Sequence, residues 1–206
     1  MDLRTWLAFA AMELVLCLTP GPAVLTVFSS ALEGGWRGGM ASTFGILSGN
    51  AFYFLVSAAG LGAVLLASPR IFAALQWVGA AYLVALGMRM LFHAHRPPAS
   101  AAVAPPPGTR FFARAVSVQL ANPKALVFFG ALLPQFMDPD SNLMRQFWIL
   151  GVTGAALELG VLAGYTRLAV EGARRYPGGR FASAARRVAG GWMALLGAGL
   201  ALARWR

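Results

Sequence analysis

The chain alternates between six long apolar segments and short stretches that are polar, basic or rich in glycine and proline. The segments cover about residues 6–31, 40–67, 71–91, 112–136, 147–170 and 188–203. Most exceed the roughly 18 consecutive apolar residues that mark a membrane-crossing helix. The pattern predicts an all-α, polytopic membrane protein of six transmembrane helices. Gly34-Gly35-Trp36-Arg37-Gly38-Gly39 predicts a flexible turn after the first segment, and Ser68-Pro69-Arg70 a tight one after the second. Residues 93–110 carry Pro97-Pro98 and Pro105-Pro106-Pro107-Gly108, an extended proline-rich linker expected on the cytoplasmic side. It divides the single transmembrane domain of 206 residues into a first half, 1–92, and a second, 111–206. Asp138 to Asn142 predicts a polar turn, and Arg174 to Arg187 a basic loop before the short sixth segment.

Two segments are interrupted from within. Thr19-Pro20-Gly21-Pro22 breaks the first and Asn122-Pro123-Lys124 the fourth. Proline lacks the amide that would bond the carbonyl four residues back, so Pro20, Pro22 and Pro123 release the carbonyls of Leu16, Leu18 and Gln119. Hydrocarbon cannot satisfy those groups, so such breaks persist only where protein, water or a solute supplies partners. Thr19 and Asn122 suit the N-cap and Pro20 and Pro123 the first helical position, so each break can begin a half-helix whose amide end attracts an anion. Three segments per half start the second half from the opposite face of the membrane. That is an inverted repeat, with the breaks in corresponding helices.

Composition agrees with a membrane protein: 58% hydrophobic, 12% charged, mean hydropathy +0.65. The formal charge of +10 does not point to nucleic acid, because the basic residues fall between apolar segments, where they set orientation. Arg37, Arg89, Arg96, Arg110, Arg114, Arg167, Arg174, Arg175, Arg180, Arg186 and Arg187 fall on one side, and Arg4, Arg70, Arg145, Arg204 and Arg206 on the other. The richer side is expected to be cytoplasmic, leaving both termini periplasmic, whereas a five-segment version would place the carboxyl terminus inside. The apolar run beginning near Arg4 is too long for a signal peptide, and Asp2 offsets its charge. Cys17 is the single cysteine and reads as a buried thiol; His93 and His95 fall in the linker, so no metal site or cofactor is expected.

Ionisable groups at membrane depth cost on the order of 2.5–3.5 kcal/mol near a helix centre and call for partners. Glu13, Lys124 and Glu158 qualify. At ~1.5 Å per residue, Glu158 and Asn50 each lie roughly 15 Å into their segments, near mid-membrane. Glu158 or Glu13 could take up a substrate ammonium, pair with Lys124 or carry a proton; a purely structural ion pair is the alternative. Gly45 and Gly49 share one helix face, and Gly79 and Gly87 lie two turns apart, patterns that suit close helix packing. No nucleophile stands beside a base and no Gly-Lys-Ser or Gly-Lys-Thr phosphate loop occurs, so neither an enzyme nor an ATPase is expected.

Taken in order, Thr19-Pro20-Gly21-Pro22, Gly45-Ile46-Leu47-Ser48-Gly49-Asn50, Gly79-Ala80-Ala81-Tyr82-Leu83 with Leu86-Gly87, and Asn122-Pro123-Lys124 resemble the LysE/RhtB family of amino-acid exporters over nearly the whole chain. The resemblance implies efflux of amino acids or their derivatives across a bacterial inner membrane, driven by the proton gradient. It places the family's Pro-Gly-Pro on Pro20, Gly21 and Pro22 and its Asn-Pro-Lys on Asn122, Pro123 and Lys124. Many relatives are acidic where this chain has Asn50, which leaves an amide at that position. The implied partners are a small amino-acid substrate and the bilayer, with a homo-oligomer compatible. Two other readings of the residues stay open: a cation or metal exporter using Glu13, Glu158 and Cys17, and a membrane scaffold that moves no solute.

Overall fold

A computed structural model describes residues 1–58, 69–92, 108–138, 140–176 and 179–202, and every regular element among them is helical. The end of the second predicted segment, residues 93–107 of the linker with His93 and His95, and the last four residues lie outside the described residues, while 108–110, expected in the linker, are already helical. Helix α1 spans Leu3–Leu18, α2 Pro22–Ala58, α3 Pro69–Phe92, α4 Gly108–Leu120, α5 Pro123–Val127, α6 Leu143–Arg175 and α7 Arg180–Leu202. The path of α5 continues as a π turn, Phe128–Leu132, and a 3-10 turn, Leu133–Phe136.

Helix α2 is not one rod. Gly35, at φ 62° and ψ −155°, interrupts its helical geometry. Ser42 Oγ nevertheless reaches Ser30 Oγ at 2.6 Å, across a separation that would put them roughly 18 Å apart along a straight helix. The chain therefore folds back on itself into a first arm, residues 22–34, and a second, residues 36–58. Of the predicted six-residue turn only Gly35 leaves helical geometry. Gly38 belongs to the second arm, where a Cβ would stand 2.5 Å from the Ser30 carbonyl oxygen, so its missing side chain is what lets the arms close.

The second arm lies along α4, α6 packs against α2 and α1, and α3 pairs with α7. Between helices surrounded by lipid, close van der Waals fit and interhelical hydrogen bonds replace the hydrophobic effect as the source of adhesion. Fit here comes from missing side chains. A Cβ on Gly45 would meet the Phe112 carbonyl oxygen at 2.5 Å and Ala115 Cβ at 2.8 Å; one on Gly49 would meet Gln119 Cβ at 2.8 Å. Gly87 and Gly190 face each other at the α3–α7 seam, each within 2.8 Å of the other's carbonyl oxygen once a Cβ is added. Gly79 lies on α3, but its surroundings are outside the described residues.

Two boundaries differ from the sequence reading. Helix α6 runs to Arg175 and α7 begins at Arg180, so most of the expected basic loop is helical, and Arg186 Nε bonds the Ala182 carbonyl one turn back. Arginine is a good helix former and Gly179, at φ 75°, supplies the turn. The Asp138–Asn142 turn is as expected: Ser141 Oγ and the Asp140 amide both donate to Asp138, holding its carboxyl below the usual range, and Asn142 caps α6 through the Arg145 amide.

Residues 22–57 and 143–175 are long and apolar enough to cross a membrane, and α4 with the α5 path, bent by 53°, forms a third candidate. The reversal at Gly35 leaves the crossing in the first case to the second arm, about 34 Å long against a ~30 Å hydrocarbon layer. Leu55, Trp148, Val152 and Leu168 stand exposed on these helices, as do Leu7 and Val15 on α1 and Leu195 on α7, an apolar exterior suited to lipid. The chain is a multi-pass membrane protein.

Gly35 occupies a backbone region open essentially to glycine alone, whereas a Cβ on Gly191 of α7 meets nothing within 4 Å. Gly35→Ala is therefore expected to cost about 1–3 kcal/mol, and Gly191→Ala to be neutral or stabilising by up to ~1 kcal/mol. Thermal unfolding of the purified variants in detergent checks both.

Candidate functional site

At the first break the released carbonyls all find donors. Leu16 O accepts from the Lys124 ammonium as well as from the Thr19 amide, and Lys124 Nζ also reaches Thr19 O at 3.5 Å. Leu18 O accepts from the Tyr165 hydroxyl at 2.9 Å. Thr19 does not serve as the expected N-cap. It closes α1 instead, its hydroxyl donating to Val15 O at 2.7 Å. Its side chain is drawn to the carbonyl one turn behind it, a common alternative for threonine. Helix α2 starts two residues later, with the Leu25 amide bonding Gly21 O, so Gly21 holds the cap position and Pro22 the first helical one.

The second break follows the sequence logic more closely. Asn122 Oδ1 accepts from the Lys124 amide at 3.1 Å, with Pro123 beginning α5. Gln119 O, which Pro123 releases, takes the Asn122 amide at 3.0 Å. Leu120 O accepts from the Tyr53 hydroxyl at 2.6 Å. The capping asparagine is also the end of a line of side-chain amides. Asn122 Nδ2 donates to Gln119 Oε1 at 3.0 Å, Gln119 Nε2 donates to Asn50 Oδ1, and Asn50 Nδ2 donates to Glu158 Oε2. Four helical elements are joined by three consecutive bonds, each oriented donor to acceptor toward the carboxylate.

Both breaks open onto one cavity of about 530 Å³, part of it open to the surroundings, which brings together Thr19, Gly21, Asn50, Asn122, Lys124, Glu13 and Glu158. Pro20, Pro22 and Pro123 belong to the two breaks but do not line it. Glu13 and Glu158 are only 7% and 9% exposed. Glu158 accepts from the Asn50 amide and Glu13 from Cys17 Sγ at 3.6 Å, so among the described residues neither carboxylate is ion-paired with Lys124. Ala23 and Val24, whose amides lie in the first turn of α2 and so have no acceptor within the helix, also line the cavity. A second, more apolar cavity of about 740 Å³ shares Glu13, Asn50, Phe128, Phe129 and Glu158 as its wall with the first. The two carboxylates and Asn50 thus stand between a polar and an apolar chamber. Among the described residues no group of three His, Cys, Asp or Glu side chains could hold a metal ion.

Sequence reasoning missed Gln119, Tyr53 and Tyr165. Gln119 carried a signal, being a polar side chain in an apolar run one turn before Pro123. The tyrosines carried none, since each closes a carbonyl on a helix distant in sequence.

Residues 14–204 match the family described as LysE type translocator. The chain is 33% identical, over 99% of both sequences, to the homoserine/homoserine lactone efflux protein of Salmonella typhimurium, and equally to that of Salmonella typhi. It is 34% identical, over 83% of both, to an uncharacterized membrane protein of Vibrio cholerae. No solved structure matches the chain at a significant level.

Gln119→Leu strands Asn50 Oδ1 and Asn122 Nδ2 and is expected to cost about 1–3 kcal/mol. Combined with Asn50→Leu it should cost less than the sum of the two single changes, because the bonds form one network. A double-mutant cycle read by thermal unfolding in detergent checks this.

Proposed function

The chain belongs to the LysE type translocator family, and from that premise we propose that it exports small amino acids of the homoserine kind, and their lactone derivatives, across a bacterial inner membrane. Its relatives are transporters, and the chain is a membrane translocator and not an enzyme. The observation that carries the reading is the shared cavity: two helix interruptions distant in sequence, one ammonium and two buried carboxylates converge on a single space.

The chemistry follows from the charges. A zwitterionic amino acid brings a carboxylate to Lys124 and to the open amides at the start of α2, and an ammonium to Glu158 with Glu13 beside it. Thr19, Pro20, Gly21, Pro22, Asn122 and Pro123 set the backbone that frames the carboxylate. Asn50 orients Glu158. A lactone has no carboxylate and keeps only the ammonium, so its recognition leans on the acidic side. The adjoining apolar chamber suits the carbon skeleton. A carboxylate that takes either an ammonium or a proton also provides the coupling: Glu158 binds a proton from outside once the substrate has left. Six membrane-crossing helices in two inverted three-helix repeats, with the arginine-rich side cytoplasmic and both termini periplasmic, complete this reading.

Efflux from proteoliposomes loaded with homoserine or its lactone tests it. Lys124→Met is expected to slow homoserine efflux about ten- to hundredfold, the worth of a charge-assisted hydrogen bond, and to affect the lactone less. Glu158→Gln is expected to slow both and to remove the response to an imposed pH gradient. Wild-type efflux of both solutes from correctly inserted variants would overturn the assignment.

A further inference from the structure

The apolar cavity of about 740 Å³ lies between one face of the second arm of α2, where Asn50 and Phe54 stand a turn apart, and a stripe of α6 that carries Trp148, Gly151, Ala155 and Glu158. Helix α1 and the α5 path close it. Four rings follow one another along its wall: Phe9 lies 6.2 Å from Phe128 between centroids, Phe128 4.9 Å from Phe129, and Phe129 6.3 Å from Phe54. Gly151 admits the last of them, since a Cβ there would collide with the Phe54 ring. Trp148 adds a fifth ring and is 61% exposed, and Val152 beside it 64%, so the mouth of the chamber opens on the apolar exterior.

The charge of this chamber has one sign. Among its described lining residues the charged ones are Glu13 and Glu158, while Lys124 lines the polar cavity alone. Cys17 engages Oε1 of Glu13 and Asn50 engages Oε2 of Glu158. The other oxygen of each carboxylate takes no hydrogen bond from the described residues. Carboxylates accept the N–H groups of an ammonium, and aromatic faces attract cations through their quadrupoles. A hard metal ion such as calcium needs six or more oxygen ligands, which two carboxylates and an amide do not supply. A carboxylate entering the chamber would find no cation. The volume falls within the roughly 300–1,000 Å³ of pockets that hold small organic ligands. Homoserine, whose side chain is short and polar, has no group that uses the rings.

We propose that this chamber binds organic ammonium ions that carry an aromatic or bulky apolar body and no carboxylate, with the ammonium at Glu13 and Glu158 and the body against the rings. The inference rests on the reading of the two carboxylates as an ammonium seat, and extends it to solutes that do not engage Lys124. An amphiphilic amine dissolved in the bilayer reaches the mouth beside Trp148 directly.

The test is calorimetric titration of the full chain in detergent, with protein-free micelles as the blank. 2-Phenylethylammonium is expected to bind about ten- to hundredfold more tightly than ethylammonium, the worth of burying one ring. 3-Phenylpropionate, which joins the ring to a negative charge, is expected not to bind. A Cβ on Gly154 would stand 3.7 Å from both Glu13 Oε1 and Phe9 Cζ, so Gly154→Leu fills the chamber and is expected to weaken amine binding about tenfold. Lys124→Met is expected to leave amine binding intact, in contrast to its effect on homoserine. If Gly154→Leu does not fold, the wild-type comparisons decide alone. Equal binding of the two ammonium ions, binding of the anion, unchanged binding in folded Gly154→Leu, or loss of binding in Lys124→Met overturns the proposal. The two readings fail separately. Amine binding without homoserine efflux overturns only the transport assignment, and homoserine efflux without amine binding overturns only this one.

Discussion

Everything in this fold depends on how a polypeptide can be interrupted among apolar helices without leaving backbone groups bare. Three prolines remove three amides, and three donors from elsewhere answer them: the Lys124 ammonium at Leu16, the Tyr165 hydroxyl at Leu18 and the Asn122 amide at Gln119. Two of the three cross from the second half of the chain to the first. The interruptions therefore bind the halves together at the place where each is least able to stand alone. Because a helix that breaks also exposes its amide end, the same constraint that demands partners creates a polar space among apolar helices.

Much of this was legible locally. Proline within an apolar run marked both breaks, and Asn-Pro-Lys specified a cap that the Asn122 side chain makes. Glycines four residues apart marked the face of α2 that α4 presses against. Other features were not local and could not be read. Among four glycines in the stretch 34–39, nothing distinguishes Gly35 as the reversal; that follows from which residues meet across the arms. Thr19 has the composition of an N-cap but bonds backwards, since α1 ends where its hydroxyl finds Val15 O. The sequence offered Lys124 a carboxylate or an anion, and the fold gives it helix-end carbonyls. Rules based on spacing describe a helix, while partners between helices are set by packing.

Two groups of polar side chains that bond between helices have different physical roles. Around Gly35, Ser30, Ser42, Arg114 and Glu33 tie the α2 hairpin to α4 at its arginine-rich end. Deeper in, the amide line from Asn122 to Glu158 links the second break to a carboxylate on α6. In such a line each donor polarises the next, so the four side chains behave as one unit and not as separate contacts. Glycine-to-carbonyl approach between α4 and the second arm of α2 holds Gln119 and Asn50 at bonding distance and so sets the geometry of the whole line.

The seating of Lys124 on the end of α1 has a consequence for how tightly anything can be held there. On the proposed role of Lys124, an arriving anion meets an ammonium whose partners are two carbonyl oxygens, and competes with them for its three N–H donors. Where the anion displaces one of them, giving up that charge-assisted bond costs about 1.5–3 kcal/mol, and the anion is then held about ten- to 150-fold more weakly than by an unoccupied ammonium in the same surroundings. Departure is eased by the same amount, because the helix end stands ready to take the ammonium back. A built-in competitor of this kind favours passage over storage.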